Sequence, residues 1–351
     1  MRLSRIVSLL LATDLIVLIS CGGDTETELI EAVERGDVAI VEALLEEGGD
    51  VNTQVGNRKS ILMVAAEKGN LEIVQLLVNK GADVGWEDFE GWQVLLYAAM
   101  AGHAEVFRFL LEEGAEPEEK NSKGRTSLSY AAESGVPVMV ELLIDNAVDI
   151  NTEDNSKRTP LSYAAEKSHT EVLQLLLDAG ADVDVKDFEN RTALMYAAEN
   201  GFTEIVQLLL EKEANLHLSP DDGRNALIRA AHNGHLDSVK ILLDKGATID
   251  ARDRPNRTAL LRAAENGHVE TLEFLLSKGA DLNAVENTGK TALTWAAMGG
   301  HADVVRVLLG KRASVETQDV DGWTALKWAD SKGHVEVIQL LTEAGATDGP
   351  S

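Results

Sequence analysis

Residues 187–215 read DFENRTALMYAAENGFTEIVQLLLEKEAN, and residues 253–283 read DRPNRTALLRAAENGHVETLEFLLSKGADLN. The two stretches share R-T-A-L and A-A-E-N-G at matching positions, two steps of 33 residues apart. The Ala pair marks this period along the chain, at Ala65-Ala66, Ala98-Ala99, Ala131-Ala132, Ala164-Ala165, Ala197-Ala198, Ala230-Ala231, Ala263-Ala264 and Ala296-Ala297. The same step reaches Ala32-Val33 and Ala329-Asp330. A fixed period of this length is typical of a repeat architecture, and the positions predict ten repeats.

Each unit predicts two short helices. Thr192 can cap the first helix, whose apolar stripe is formed by a leucine and the Ala pair, and Gly201 can end it. Residues 204–210 read EIVQLLL and predict the second helix. Neither helix can bury its stripe alone, so repeats must stack into a solenoid. A composition of 44% hydrophobic but only 4% aromatic residues fits thin layers of Leu, Val and Ala.

The units resemble ankyrin repeats. The T-P-L part of that family's T-P-L-H-x-A-A pattern is present at Thr159-Pro160-Leu161, and with Ala or Ser for Pro at Thr126, Thr192, Thr258, Thr291 and Thr324. The histidine of the pattern is absent from every copy. The resemblance implies an all-α solenoid of helix-turn-helix units with β-turn fingers. We expect one array over residues 26–348, with about ten repeats and a tail at 349–351.

Residues 1–20 are of a different kind. Arg2 and Arg5 precede an apolar run that closes on Ser20, which is the order of a secretory signal peptide. The run is shorter than the roughly 20 residues that span a bilayer. The tetrapeptide ending at Cys21, LISC, resembles the lipobox of bacterial lipoproteins, which implies lipidation of Cys21 and a short tether over residues 21–25.

The lipobox resemblance favours a lipid-anchored protein of the cell envelope. Gly22 stands where some inner-membrane lipoproteins carry aspartate, which favours the periplasmic face of the outer membrane. Asp14 interrupts the apolar run, so an uncleaved or secreted chain and a cytosolic chain stay open as alternatives.

The sequence predicts no enzyme, no catalytic residue, no cofactor and no metal site. Six of the eight histidines share one repeat position, which favours local turn or capping roles: His103, His169, His235, His268, His301 and His334. His217 and His232 are irregular. Gly289-Lys290-Thr291 lacks the earlier glycine of a phosphate-binding loop, and no G-x-S-x-G motif occurs.

In ankyrin proteins the turn tips and first helices line a concave groove that binds partners, and the resemblance carries that role to two rows. The basic row precedes each cap position: Lys59, Trp92, Arg125, Arg158, Arg191, Arg224, Arg257, Lys290 and Trp323. The acidic row follows each Ala pair and includes Glu133, Glu166 and Glu199. We expect Trp92 and Trp323 to anchor a partner, because Trp and Arg are enriched among interface hot spots. The alternative is that the bases and acids mostly pair with each other.

Aromatic residues add a local patch. Trp86, Phe89 and Trp92 fall within seven residues, and Phe188 matches the position of Phe89 three repeats later. The predicted groove residues therefore also include Phe89 and Phe188. The alternative for the patch of Trp86, Phe89 and Trp92 is partial burial between adjacent turns. All four tyrosines, Tyr97, Tyr130, Tyr163 and Tyr196, precede an Ala pair and predict a packing ladder between repeats.

Net charge limits the partners. The chain carries 32 basic and 59 acidic side chains, a net charge of −27, which becomes −28 without residues 1–20. This acidity disfavours nucleic acid, which is bound by clustered cations, and favours a basic or amphoteric protein. We expect a monomeric scaffold that meets the membrane through a lipid anchor only. The alternative is a secreted or translocated effector that acts on a host or competitor protein.

Overall fold

The computed structural model of the protein describes residues 25–347. The predicted signal peptide, Cys21 and the tail at 349–351 lie outside the described residues. The first helix begins at Thr25, one residue before the predicted start of the array. The chain divides into two compact units, of which the described parts are residues 25–155 and 156–347.

Over residues 25–155, the first unit has eight helices and one short hairpin. The helices are α1 (Thr25–Arg35), α2 (Val38–Glu46), α3 (Ile61–Lys68), α4 (Leu71–Asn79), α5 (Val94–Ala101), α6 (Ala104–Glu112), α7 (Ser127–Ser134) and α8 (Pro137–Asp145). Strands β1 (Gln54–Val55) and β2 (Lys59–Ser60) pair antiparallel with Val55 opposite Lys59. Odd-numbered helices pack in sequence, and even-numbered helices form a second row against them.

The second unit repeats this arrangement with twelve helices. They are α9 (Pro160–Lys167), α10 (Thr170–Asp178), α11 (Ala193–Asn200), α12 (Thr203–Glu211), α13 (Ala226–His232), α14 (Leu236–Asp244), α15 (Ala259–Glu265), α16 (Val269–Ser277), α17 (Ala292–Gly299), α18 (Ala302–Gly310), α19 (Ala325–Lys332) and α20 (Val335–Glu343). The fold is therefore the predicted all-α solenoid.

Local chemistry sets where the odd-numbered helices begin and end. Ser60 Oγ accepts the Met63 N–H at 3.3 Å, and Thr291 Oγ1 accepts the Thr294 N–H at 3.2 Å, which satisfies a free amide at each start. Thr192 holds the same position without such a bond, so capping by threonine holds in part. Gly201 ends α11 with φ 74°, a conformation that favours glycine.

The core lies between the two helix rows of each unit. The Ala pairs are fully buried, and the even-numbered helices contribute branched residues such as Val206 and Leu209. Small alanines let successive helices approach closely, which gives the thin apolar layers that the composition predicts.

Backbone hydrogen bonds also join successive fingers, the turns that precede the odd-numbered helices. In the first unit, the N–H of Phe89 donates to the Asn57 carbonyl at 3.1 Å, and that of Ser122 to the Glu90 carbonyl at 2.8 Å. In the second unit, the N–H of Phe188 donates to the Ser156 carbonyl at 3.0 Å. The ladder fixes the spacing of the finger tips within each unit.

Three turns after even-numbered helices lack the usual glycine. Ala147, Glu213 and Arg312 have φ of 56°, 64° and 64°, in the same left-handed region as Gly246 at 96°. The Glu213 N–H donates to the Leu210 carbonyl at 3.2 Å, as the Gly246 N–H does to the Leu243 carbonyl at 3.0 Å. From the sequence, loss of the glycine predicts a loosened or reshaped junction at each of these positions. The left-handed turn is instead kept, and the Cβ at these positions carries conformational strain.

We expect Glu213→Gly to raise the free energy of unfolding by about 0.5–1 kcal/mol. Relief of left-handed strain, roughly 1–2 kcal/mol, exceeds the entropy that glycine adds to the unfolded chain. Gly246→Ala is the matched control, because no atom lies within 4 Å of the added Cβ and only strain acts there. Gly246→Ala should lower the free energy of unfolding, measured by urea titration, by about 1 kcal/mol. Destabilisation by Glu213→Gly would contradict this explanation.

Candidate protein-binding face

The basic and acidic rows pair with each other over a spacing of eight residues. The nitrogen-to-oxygen distances are 2.5 Å for Lys59–Glu67, 2.6 Å for Arg125–Glu133, 2.6 Å for Arg158–Glu166, 3.6 Å for Arg191–Glu199 and 2.8 Å for Arg257–Glu265. Mutual pairing, the alternative interpretation of the rows, is therefore present in the structure. Partner binding by these residues stays a prediction.

The paired cations also lie over aromatic rings. The guanidinium carbon of Arg125 lies 3.8 Å from the ring centre of Tyr130. That of Arg158 lies 4.0 Å from Tyr163 and 4.7 Å from Tyr196, one repeat further. Each arginine is thus held between a carboxylate and a ring, which fixes the side chain at the base of the fingers.

Buried finger carboxylates hold the tyrosines. Asp187 Oδ1 accepts the backbone N–H groups of Glu189 and Arg191 at 2.9 and 2.8 Å, while its Oδ2 accepts the Tyr196 hydroxyl at 2.5 Å. Asp88 and Tyr97 repeat the hydroxyl bond at 2.8 Å. Burial, followed by the bond to Asp187, raises the pKa of Tyr196. This role of the finger acids was not predicted, although their nine-residue spacing from the aromatic residue is visible in the sequence.

The two tryptophans of the basic row differ in accessibility. Trp92 is only 8% exposed, and its ring lies 5.1 Å from Tyr97 and 4.8 Å from Tyr130 between ring centres. Trp323 is half-buried against Trp328, with 4.6 Å between ring centres. Trp92 therefore packs inside the finger base and offers little surface, as the alternative of burial between adjacent turns predicts. Partner anchoring by the two tryptophans stays a prediction.

Phe89 and Phe188 are the exposed aromatic residues of the fingers. They are 71% and 64% exposed, so burial between adjacent turns, the alternative for the patch, does not hold for Phe89. The Arg58 guanidinium carbon lies 5.5 Å from the Phe89 ring centre, and Lys157 Nζ lies 5.6 Å from that of Phe188. Each finger tip thus presents an apolar ring beside a cation.

Comparison with protein families identifies the repeats. The model described as "Ankyrin repeats (3 copies)" matches residues 29–121, 114–187, 184–253, 218–286 and 260–348. The chain belongs to the ankyrin repeat family. Comparison with curated proteins gave no significant match. Ankyrin repeats are protein-interaction modules, so membership supports a scaffold that binds other proteins.

Arg224 is an arginine of the basic row that lacks the usual pair with the acidic row. His232 occupies the position of the acidic row opposite Arg224. The closest carboxylate oxygens to Arg224 Nε belong to Asp222 and Asp253, both at 3.9 Å. Glu199 of the acidic row instead binds Arg229 at 2.9 Å.

The histidines that recur in the ankyrin repeats join neighbouring repeats. In the first unit, His103 Nε2 lies 3.0 Å from the Glu67 carbonyl. In the second unit, His235, His268, His301 and His334 contact the carbonyls of Glu199, His232, Glu265 and Met298 at 2.9–3.0 Å. The expectation of a purely local role is therefore wrong for these five histidines. Each contacts a backbone carbonyl 36 residues earlier in the chain, in the neighbouring repeat.

Within residues 25–347, no group of three or more His, Cys, Asp or Glu side chains is arranged to hold a metal ion. No helix among these residues combines the length and the apolar character needed to cross a membrane.

We expect acid to weaken the second unit through His232 and His268. Burial lowers the pKa of both side chains. The charges of Arg224 and Arg262 lower the pKa of His232 further, and those of His235 and His301 lower the pKa of His268 further. The unfolded histidines therefore bind protons more readily, so stability is complete above about pH 6.5 and is lost as pH falls below it.

Urea unfolding of the full chain between about pH 7.5 and pH 5.5 measures this dependence. His268→Gln should make the slope shallower, whereas His217→Gln, at an exposed loop residue, is the control. An unchanged slope in His268→Gln would refute the assignment.

Proposed function

We propose that the chain is a non-enzymatic protein-binding scaffold of ten ankyrin repeats over residues 26–348, tethered by lipid on Cys21 in the bacterial cell envelope. The exposed Phe89 and Phe188 carry the binding part of this proposal, since large apolar side chains beside cations are suited to protein contacts. Twenty described helices, which form ten consecutive pairs, support the number of repeats.

The charges of the described residues favour a basic or amphoteric partner. Five cations of the basic row are neutralised by the acidic row, so they contribute little net positive charge to the concave groove. Exposed acids recur at the start of the even-numbered helices, as at Glu72, Glu105, Glu171, Glu270 and Glu336. A positively charged protein surface complements this field and associates faster with it.

The proposed anchor sets where the partner is met. Residues 21–25 reach at most about 18 Å when extended, which would keep the first repeats near the bilayer. The middle and later repeats would then meet the partner on the periplasmic side of the outer membrane.

Cys21→Ala tests the anchor. We expect the native protein in the membrane fraction to begin at an acylated Cys21, and the variant to leave that fraction because the acyl chains supply the membrane affinity. Intact-mass spectrometry of both fractions gives the result. A native chain that still begins at an unmodified Met1 would contradict the tether and would favour the secreted effector or a cytosolic protein.

The double variant Phe89→Ser, Phe188→Ser tests the finger tips. A partner recovered by cross-linking from intact cells should bind it at least about tenfold more weakly, because hot-spot aromatic residues carry much of an interface's free energy. The melting temperature should change little, since both rings are exposed.

Val335→Ser is the matched control, since Val335 is 77% exposed but lies at the start of α20. Unchanged affinity in the double variant, or an equal loss in the control, would place the interface elsewhere.

A further inference from the structure

Arg224 is a row cation without its usual carboxylate. At Arg158 and Arg257, a glutamate eight residues later approaches within 2.6 and 2.8 Å, whereas His232 holds that position after Arg224. Within the described part of the chain, no acceptor lies at hydrogen-bond distance from the Arg224 guanidinium. Its side chain is 31% exposed and so is accessible from outside.

Nearby carboxylates are already bound by other arginines. Asp222 accepts Arg229 at 3.0 Å, and the buried Asp253 forms a short ion pair with Arg262. Asp222 and Asp253 therefore approach Arg224 only to 3.9 Å. Glu199 binds Arg229 at 2.9 Å, and Glu265 binds Arg257 at 2.8 Å. Arg224 is thus the arginine of this cluster that forms no hydrogen bond to a carboxylate.

His232 presents a hydrogen-bond donor beside that cation. Asn266 Nδ2 donates to the Arg262 carbonyl at 3.0 Å, which fixes the orientation of the amide. The same Nδ2 lies 2.9 Å from His232 Nδ1, so Nδ1 is the acceptor and the ring proton is on Nε2. Burial, then Arg224 and Arg262, lower the pKa of His232 and keep the ring neutral.

We propose that Arg224 and His232 form a subsite for the carboxylate of an Asp or Glu side chain in a bound protein segment. The incoming carboxylate takes the place that Glu166 and Glu265 hold beside Arg158 and Arg257. It accepts charge-assisted bonds from the guanidinium and a further bond from His232 Nε2–H. This subsite rests on the proposed function and adds one acidic contact to an otherwise basic or amphoteric partner.

His232→Glu tests the vacancy in the isolated chain, because it supplies the missing carboxylate from within. We expect its unfolding midpoint to rise by about 1–3 °C, since a partly exposed ion pair forms. The substitution does not remove the contact from His268, because that contact is made to the backbone carbonyl of residue 232.

Met100→Glu is the matched control for His232→Glu. Met100 holds the same repeat position, but its row residue is Trp92 and provides no cation, so no comparable rise is expected. Adding Arg224→Gln to His232→Glu should abolish the rise. Equal midpoints for His232→Glu and wild type would show that Arg224 has no vacancy to fill.

Binding is tested by selecting a displayed library of random peptides on the immobilised wild-type chain and on His232→Glu. We expect wild-type binders to carry Asp or Glu at one position, and a synthesised binder to lose at least about tenfold in affinity against His232→Glu and Arg224→Gln. Calorimetry measures the loss.

The possible failures of the binding test are distinguishable. Peptides that bind wild type and His232→Glu equally, with no acidic preference, overturn the subsite while the scaffold function stands. A library that yields no binder to either protein overturns protein binding by the groove, and the subsite with it.

Discussion

Burial of the apolar stripe by a neighbour is the constraint on which this protein depends. A single helix pair leaves Leu194 and the Ala197-Ala198 pair without a covering surface, and only the next pair in the unit provides one. The 33-residue period follows, because every repeat must place its apolar stripe against the stripe of the next repeat. Alanine at the seam brings the helices close enough for backbone bonds to join adjacent fingers.

That close approach also shapes the finger face. The finger acid Asp187 binds its own backbone and the hydroxyl of Tyr196, and Arg158 from the preceding repeat lies against the same ring. Carboxylate, ring and cation therefore form an interlocked base under the fingers. The bases and acids of the two rows serve mainly to build this base, and the finger tips above it carry the exposed groups.

Periodicity predicted the fold from sequence, because helix, cap and turn signals recur with each repeat. The missing glycines at Ala147 and Glu213 predicted loosened or reshaped junctions, but both residues keep the left-handed conformation of the shared turn. Periodicity left open whether Trp92 is buried, since the same repeat position holds an arginine elsewhere and only packing between Tyr97 and Tyr130 decides the exposure of the ring. Phe89 was singled out because it clusters with Trp86 and Trp92, and Phe188 because it matches Phe89 three repeats later. Their exposure depends on the geometry of the fingers.

In such an array, specificity resides in departures from the shared pattern. A residue that matches the repeat is explained by stacking, as Arg257 is explained by Glu265 and Trp295. When the usual partner of a residue is replaced, the side chain keeps its charge and its hydrogen-bond donors but no longer forms that contact within the chain. Arg224 is in this condition, since His232 holds the place of a glutamate while the nearby carboxylates bind Arg229 and Arg262. A partly buried cation that has no hydrogen-bonded carboxylate of its own gains most from one supplied by another chain.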